Sequence, residues 1–380
     1  MKRQFYEVPP QYLRGPVFHK NRLRLSSFIF GFSFFLALTC LAFPPFRYLA
    51  YSVPVLVLLA CMADGRASIG DEVKPFLVII AAGVMLGPLT KGEGWKDLFF
   101  IFAGVSVALL GRVPRISLWS MFGWLMLSFV YLYGVWGDFR GGFHYDFLNS
   151  ESTFEGNFSF VFALLVPFAV HQRKYLLAFL CLAMAVLTLK RIAILAAVVS
   201  SIMVLIGPKR GKLLLNPATM VGLNAFVLVA DMAYTTGMLD YFIQQLTGQS
   251  SNQLGMGRQS MHKYVVDGLL NEPWWAFLGH GLGSVYSIAE QGFGVYEKVN
   301  LHSDLLKLCY EIGYICTAAV FWLMYAPRSY MIRVAFFFQN MLFFTDNTLI
   351  YFFLTYFIFL LMRIHRDEDE LSHEAKPAAA

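Results

Sequence analysis

The stretch Leu301-His302-Ser303-Asp304-Leu305-Leu306-Lys307-Leu308-Cys309-Tyr310-Glu311-Ile312-Gly313 carries charge into an otherwise apolar run. Read as a helix, positions 304, 307 and 311 stand at i, i+3 and i+7 and line one face over about 10 Å. Lipid cannot solvate that stripe. It must turn toward a polar bundle interior, where an ionisable side chain marks function by default. His302 sits just before the helix, at the water boundary, where an imidazole can exchange protons at neutral pH. The plainer reading is a helix-end histidine without chemistry.

The rest of the chain explains why this stretch decides the fold. Its 380 residues are 58% hydrophobic, 17% aromatic and 14% charged, against roughly 25% charged in a soluble domain. The composition is that of an all-α, polytopic integral membrane protein. Cys40, Cys61, Cys181, Cys309 and Cys316 all lie in apolar runs at unrelated spacings, which supports neither a disulfide framework nor a metal site. The net charge of +6 is small for this length and points to topology, not to nucleic acid. About 20 apolar residues cross a bilayer, with a range of about 17 to 25. Twelve spans are expected: 26–43, 46–63, 75–89, 97–111, 116–135, 157–170, 175–189, 192–206, 213–230, 305–325, 334–346 and 348–362. The expected organisation is a cytoplasmic segment 1–25, nine spans within 26–230, a large periplasmic loop 231–304, three spans within 305–362 and a disordered cytoplasmic tail 363–380. The first span reads as uncleaved, since no small-residue cleavage site follows it.

Lys and Arg concentrate on the cytoplasmic side of membrane proteins. With both termini inside, 20 of the 30 cations fall on inner segments; the ten outside are Arg47, Lys91, Lys96, Arg140, Lys190, Arg191, Arg258, Lys263, Lys298 and Lys307. Lys190-Arg191 is the most informative exception, because the segments around Arg173-Lys174 and Lys209-Arg210 on either side are both cationic. Residues 175 to 206 make about 48 Å of helix, enough for two short crossings. The turn at Lys190-Arg191 then reaches the outer face. The alternative is a pair of snorkelling cations at a helix end.

Two polar segments face outside, 136–156 and the long one from Asp231. The second is too long to lack structure. Tyr241, Phe242 and Leu246, then Val265, Val266, Leu269 and Leu270, have the spacing of short amphipathic helices, the second stopped by Pro273. Gly257-Arg258 opens that second helix, so a guanidinium stands beside free N–H groups at a positive dipole end, an anion site in the making. Lys263 is five residues on and roughly 140° round the helix. Gly279-His280-Gly281-Leu282-Gly283-Ser284 loosely resembles a phosphate-cradling loop, with a tight turn as the plainer reading. Asp346-Asn347 would reach the same outer face and reads more simply as a polar turn. No H-E-x-x-H, paired-Cys or G-x-S-x-G motif occurs, which excludes zinc hydrolysis and an α/β-hydrolase triad. A metal-dependent sugar-nucleotide transferase would want a D-x-D in a soluble domain, and Asp367-Glu368-Asp369 in the tail is the only one, so any sugar donor would be lipid-linked and reached from outside.

These residues resemble the bacterial O-antigen polymerase and O-antigen ligase superfamily over roughly 157 to 325. The resemblance rests on the Leu189-Lys190-Arg191 turn, Gly257-Arg258, the segment Asn271-Glu272-Pro273 to Gly279-His280-Gly281-Leu282-Gly283, and His302-Ser303-Asp304 followed by Glu311-Ile312-Gly313. It implies a GT-C-like polytopic glycosyltransferase of the bacterial inner membrane. Such an enzyme moves a glycan from undecaprenyl pyrophosphate to a sugar hydroxyl without metal or other cofactor. In that picture Arg191 and Arg258 hold the pyrophosphate, and His302 orients or deprotonates the acceptor with Asp304 or Glu311 in support. Lys190, Lys263, Arg140 and His280 serve as further substrate contacts. A polymerase of lipid-linked repeat units is favoured, with a chain-length regulator as a further partner. The alternatives are an O-antigen ligase acting on lipid A core and a lipid-linked oligosaccharide flippase.

Overall fold

A backbone in lipid satisfies its N–H and C=O groups only within its own segment, so the apolar runs must be helices. The computed structural model describes residues 19–64, 69–90, 94–110, 116–136, 144–146, 151–255, 257–287 and 301–374. Its helices are α1 (His19–Ala42), α2 (Ser52–Asp64, entered through a 3-10 segment Pro44–Tyr51), α3 (Lys74–Leu86), α4 (Trp95–Ser106), α5 (Leu118–Tyr131), α6 (Phe158–His171), α7 (Tyr175–Leu187), α8 (Arg191–Leu214) and α9 (Pro217–Thr235). The short α10 (Asp240–Thr247), α11 (Ser251–Leu254), α12 (Arg258–Asn271) and α13 (Pro273–Leu278) follow, then α14 (Asp304–Tyr325), α15 (Tyr330–Phe343) and α16 (Phe352–Glu374). Among the described residues the only strands are β1 (Tyr145–Asp146) and β2 (Glu151–Ser152), an antiparallel pair that sets Tyr145 opposite Ser152.

A described helix overlaps each expected span. By length and composition five described helical stretches can cross a membrane: Pro45–Ala63, Asp71–Leu89, Arg191–Leu214, Pro217–Thr235 and Asp304–Tyr325. Shorter apolar helices such as Phe158–His171 and Tyr175–Leu187 accompany them. The molecule is therefore a polytopic helical membrane protein. α6 stands at its centre, with Phe158 through Ala169 all buried, as befits a helix that is apolar on every side. It packs on α7 and α8; α14 packs on α3 and α9, α15 on α8, and α16 on α4.

Three features differ from the sequence expectation. α9 runs on through Asp231 to Thr235, because Asp231 finds a partner in His262. The tail expected to be disordered from 363 is helical to Glu374. Arg363 and His365 are buried, the His365 ring meets His171 of α6 edge-on at 5.0 Å, and no Gly or Pro lies between to stop the helix. Finally, two long helices are broken at glycine: α8 at Gly207 (φ 79°) and α14 at Gly313 (φ 78°). A positive φ interrupts the ladder and is open to Gly at little steric cost.

Candidate active site

The Lys190-Arg191 turn is held by the polar segment around Tyr145 to Gly156 and by the start of α6. The carbonyls at the end of α7 need partners beyond the helix. They receive Tyr145 Oη at Val186 (3.1 Å), Ser152 Oγ at Leu187 (2.8 Å), Ser159 Oγ at Ala185 (3.1 Å) and the Gly156 N–H at Thr188 (3.3 Å). Leu189 is forced to φ 43°, an outlier for a bulky residue. Lys190 Nζ then reaches Glu155 at 2.5 Å, and Arg191, exposed, begins α8.

His302 has φ 56°. Strain of this kind persists only where the surroundings over-determine it, and here they do. Ser303 caps α14 by accepting the Leu306 N–H (3.2 Å). The Asp304 N–H donates to the Asp346 carbonyl (3.1 Å), and its carboxylate accepts from Thr348 Oγ1 (3.1 Å) and the Leu349 N–H (2.8 Å). Asp304 thus stitches the turn between α15 and α16 against the His302 turn. The result sets His302 Nδ1 3.8 Å from Asp346 Oδ1. Tyr351 Oη (3.1 Å) and the Asn347 N–H (2.8 Å) donate to the same Asp346 oxygen. Burial would raise the Asp346 carboxyl, but His302, the Asn347 N–H and the charge of Lys190 outweigh it and hold it below the usual carboxylate range. Lys190, His302 and Asp346 therefore belong to one electrostatic cluster.

Beneath His302 lies a histidine that the sequence reading passed over. His262 of α12 is buried; its Nδ1 faces Asp231 Oδ1 of α9 at 3.1 Å and its Nε2 faces the Leu301 carbonyl at 2.9 Å. One imidazole so ties α9, α12 and the residue before His302. Arg258 stands one turn earlier on the same face of α12. A lone histidine on an apolar helix face gives no sequence signal of such a bridge.

The stripe on α14 points inward as expected, but its partners correct the expected roles. Glu311 accepts the Gly283 N–H (2.8 Å), and Lys307 Nζ lies 2.6 Å from Asp97 Oδ2 of α4, with Tyr286 Oη also donating to Asp97 (3.0 Å). Asp346, first read as a polar turn, is the carboxylate that faces His302; Asp304 and Glu311 build the frame. Asp97 had a signal, a carboxylate at the head of an apolar run, where burial would need a cation.

The glycine loop is a latch, not a phosphate cradle. The N–H groups of His280 and Gly281 donate to the carbonyls of Tyr310 (3.0 Å) and Glu311 (2.8 Å), which the break at Gly313 frees. A Cβ on Gly279 would lie 2.5 Å from the Glu311 carbonyl oxygen, and one on Gly313 2.3 Å from that of Phe277. His280 stacks on Tyr310 (centroids 4.0 Å apart, planes at 4°) and faces Glu272 at 3.1 Å, so its ring serves the latch. Lys263 is exposed and does not share the Arg258 to His262 face. Arg140 lies outside the described residues. Between α9 and α14, a cavity of about 380 Å³ is lined by Leu228, Met232, Leu305, Cys309 and Phe321 among others, almost wholly apolar, and begins within a turn of Ser303.

A helical membrane protein with a cation, histidine and carboxylate cluster at one end of its bundle, next to an apolar groove, is thereby defined. Residues 176–322 match the family described as O-antigen ligase. That match supports a place in the superfamily of O-antigen polymerases and ligases, and leaves polymerase and ligase undistinguished. Neither the curated proteins nor the solved structures yield a match.

Proposed function

We propose that this chain polymerises repeat units carried on undecaprenyl pyrophosphate, on the periplasmic face of the bacterial inner membrane. The observation that carries the reading is the His302–Asp346 pair beside the Lys190-Arg191 turn. With Nδ1 directed at Asp346, Nε2 of His302 is left to take the proton of an acceptor hydroxyl. The hydroxyl oxygen attacks the anomeric carbon of the donor glycan as the bond from that carbon to the pyrophosphate oxygen breaks. Arg191 and Arg258 neutralise the departing pyrophosphate through charge-assisted hydrogen bonds. No metal is assigned a part. The apolar groove along α14 suits a polyprenyl tail whose head lies at His302.

A chain-length regulator would act on this enzyme from outside the site. The test is a deletion strain. Single repeat units still attached to lipid A core are expected, since an intact ligase transfers an unpolymerised unit. Long chains stranded on undecaprenyl pyrophosphate, with no surface glycan, would make the protein the ligase. Repeats trapped on the cytoplasmic leaflet would make it a flippase.

A further inference from the structure

Two of the outer cations, Arg47 and Lys96, are not used by the reaction. The 3-10 segment Pro44–Tyr51 lies against the start of α4, with Tyr51 and Phe99 rings 5.6 Å apart and Tyr48 and Phe100 rings 6.4 Å apart. That packing brings both cations to one phenol: the Arg47 guanidinium carbon is 5.2 Å and Lys96 Nζ 5.5 Å from the Tyr48 ring centroid. Arg47 Nη2 also donates to Tyr48 Oη at 3.3 Å. Like charges sharing one aromatic ring repel, and each cation–π contact offsets only part of that. Among the described residues no carboxylate lies within ion-pair distance of either cation. Asp97, next in sequence to Lys96, is buried and turned the other way, held by Lys307 at 2.6 Å and by Tyr286. A guanidinium has five N–H donors, and Tyr48 engages one.

The setting indicates what completes the site. Phe46, Tyr48, Trp95 and Phe99 around it are exposed, as aromatic side chains are at a membrane–water boundary. Lys96 is in the first turn of α4, whose free N–H groups add positive potential. The bundle end is that of the candidate active site, because Asp97 pairs with Lys307, one turn into α14. We propose that Arg47, Lys96 and the Tyr48 hydroxyl bind the phosphate of an anionic lipid headgroup. Arg47 supplies a planar fork to two phosphate oxygens, Lys96 a point charge, and the ring of aromatics seats the glycerol and upper chains. The site is independent of the glycan-transfer reading.

The test uses the full chain in phosphatidylcholine nanodiscs doped with a minor fraction of phosphatidylglycerol, with retained lipid read by native mass spectrometry. Wild-type protein should enrich phosphatidylglycerol. Each of Arg47→Gln and Lys96→Gln should lower the enrichment about fivefold and the double variant roughly twentyfold or more, the worth of one cation near a headgroup applied once and twice. Undiminished enrichment in a double variant with wild-type circular dichroism would overturn the proposal; should the double variant not fold, undiminished enrichment in both single variants would do the same. Release of phosphatidylglycerol by excess inorganic phosphate would overturn the lipid assignment, marking a free-phosphate site.

Discussion

In the proposed reaction His302 and Asp346 act as a pair, which makes the sharpest predictions single substitutions. His302→Ala should lower transfer by about 10²- to 10⁴-fold, the range for loss of a positioned general base, and Asp346→Asn should follow it closely. Arg191→Ala and Arg258→Ala should abolish transfer, and lysine at either place should rescue poorly, because an ammonium lacks the planar fork. A glycan-transfer assay on purified membranes reads all four, with membrane insertion of each variant checked in parallel. Near-normal product from Arg191→Lys combined with His302→Ala would reduce both to helix-end residues. Asp346 also sets a pH dependence. Its carboxyl is held below the usual range in the folded protein, so its stabilising contribution is complete above that range and is lost as pH falls through the lowered value. Asp346→Asn should flatten the acid side of the thermal-stability profile. His262→Leu should impair transfer by freeing the Leu301 carbonyl, whereas Lys263→Ala should leave transfer unchanged.

At the scale of elements, the broken α14 is the organising feature. Gly313 ends one helical segment at φ 78° and starts the next, and the Gly279 to Gly283 loop fills the gap with its own N–H groups. Leu282 is part of the same lock: a Cβ on Gly94 would lie 2.1 Å from its carbonyl oxygen, and one on Gly83 would lie on its side chain. Gly279→Ala or Gly313→Ala therefore meets backbone atoms and a positive φ together, the latter alone worth about 1 to 3 kcal/mol. Each should lower the thermal midpoint in detergent markedly, while Gly31→Ala, with open space around it, should not. The Lys307–Asp97 pair, 7% and 5% exposed, gives a second test. Lys307→Met leaves a buried carboxylate unpaired and should cost about 3 to 5 kcal/mol. Lys307→Met combined with Asp97→Leu should recover most of that loss, since neither charge then remains buried.

For the whole molecule, the prediction is topological. Reporter fusions after Gly137, Lys190 and Gly255 should report the periplasm, and fusions after Arg66, Lys174 and Lys209 the cytoplasm, from the bias of cations and the parity of spans about Lys190. A cytoplasmic signal at Lys190 would remove the twelve-span arrangement and the outer site together. The structure brings residues 144–146 and 151–159, the Lys190 turn, α12, the His302 turn and the Asp346 turn to one end of the bundle, so a fusion that moved one would move the whole site.

Much of this was legible from local pattern alone. Apolar length predicts the helices because lipid offers the backbone no other partner, and the spacing of Asp304, Lys307 and Glu311 requires an inward stripe because helical periodicity is fixed. The pairing was not legible. Lys307 and Asp97 are 210 residues apart and His302 and Asp346 are 44 apart, and nothing in either neighbourhood specifies which carboxylate meets which cation. Helix packing decides that, through contacts such as Leu282 against Gly83 and Gly94. For the same reason Glu311 holds a glycine loop, His262 holds the His302 turn, and Asp346 faces the imidazole. The sequence determined which residues had to leave lipid; the tertiary structure decided their partners, because a buried charge is satisfied by proximity in space and not along the chain.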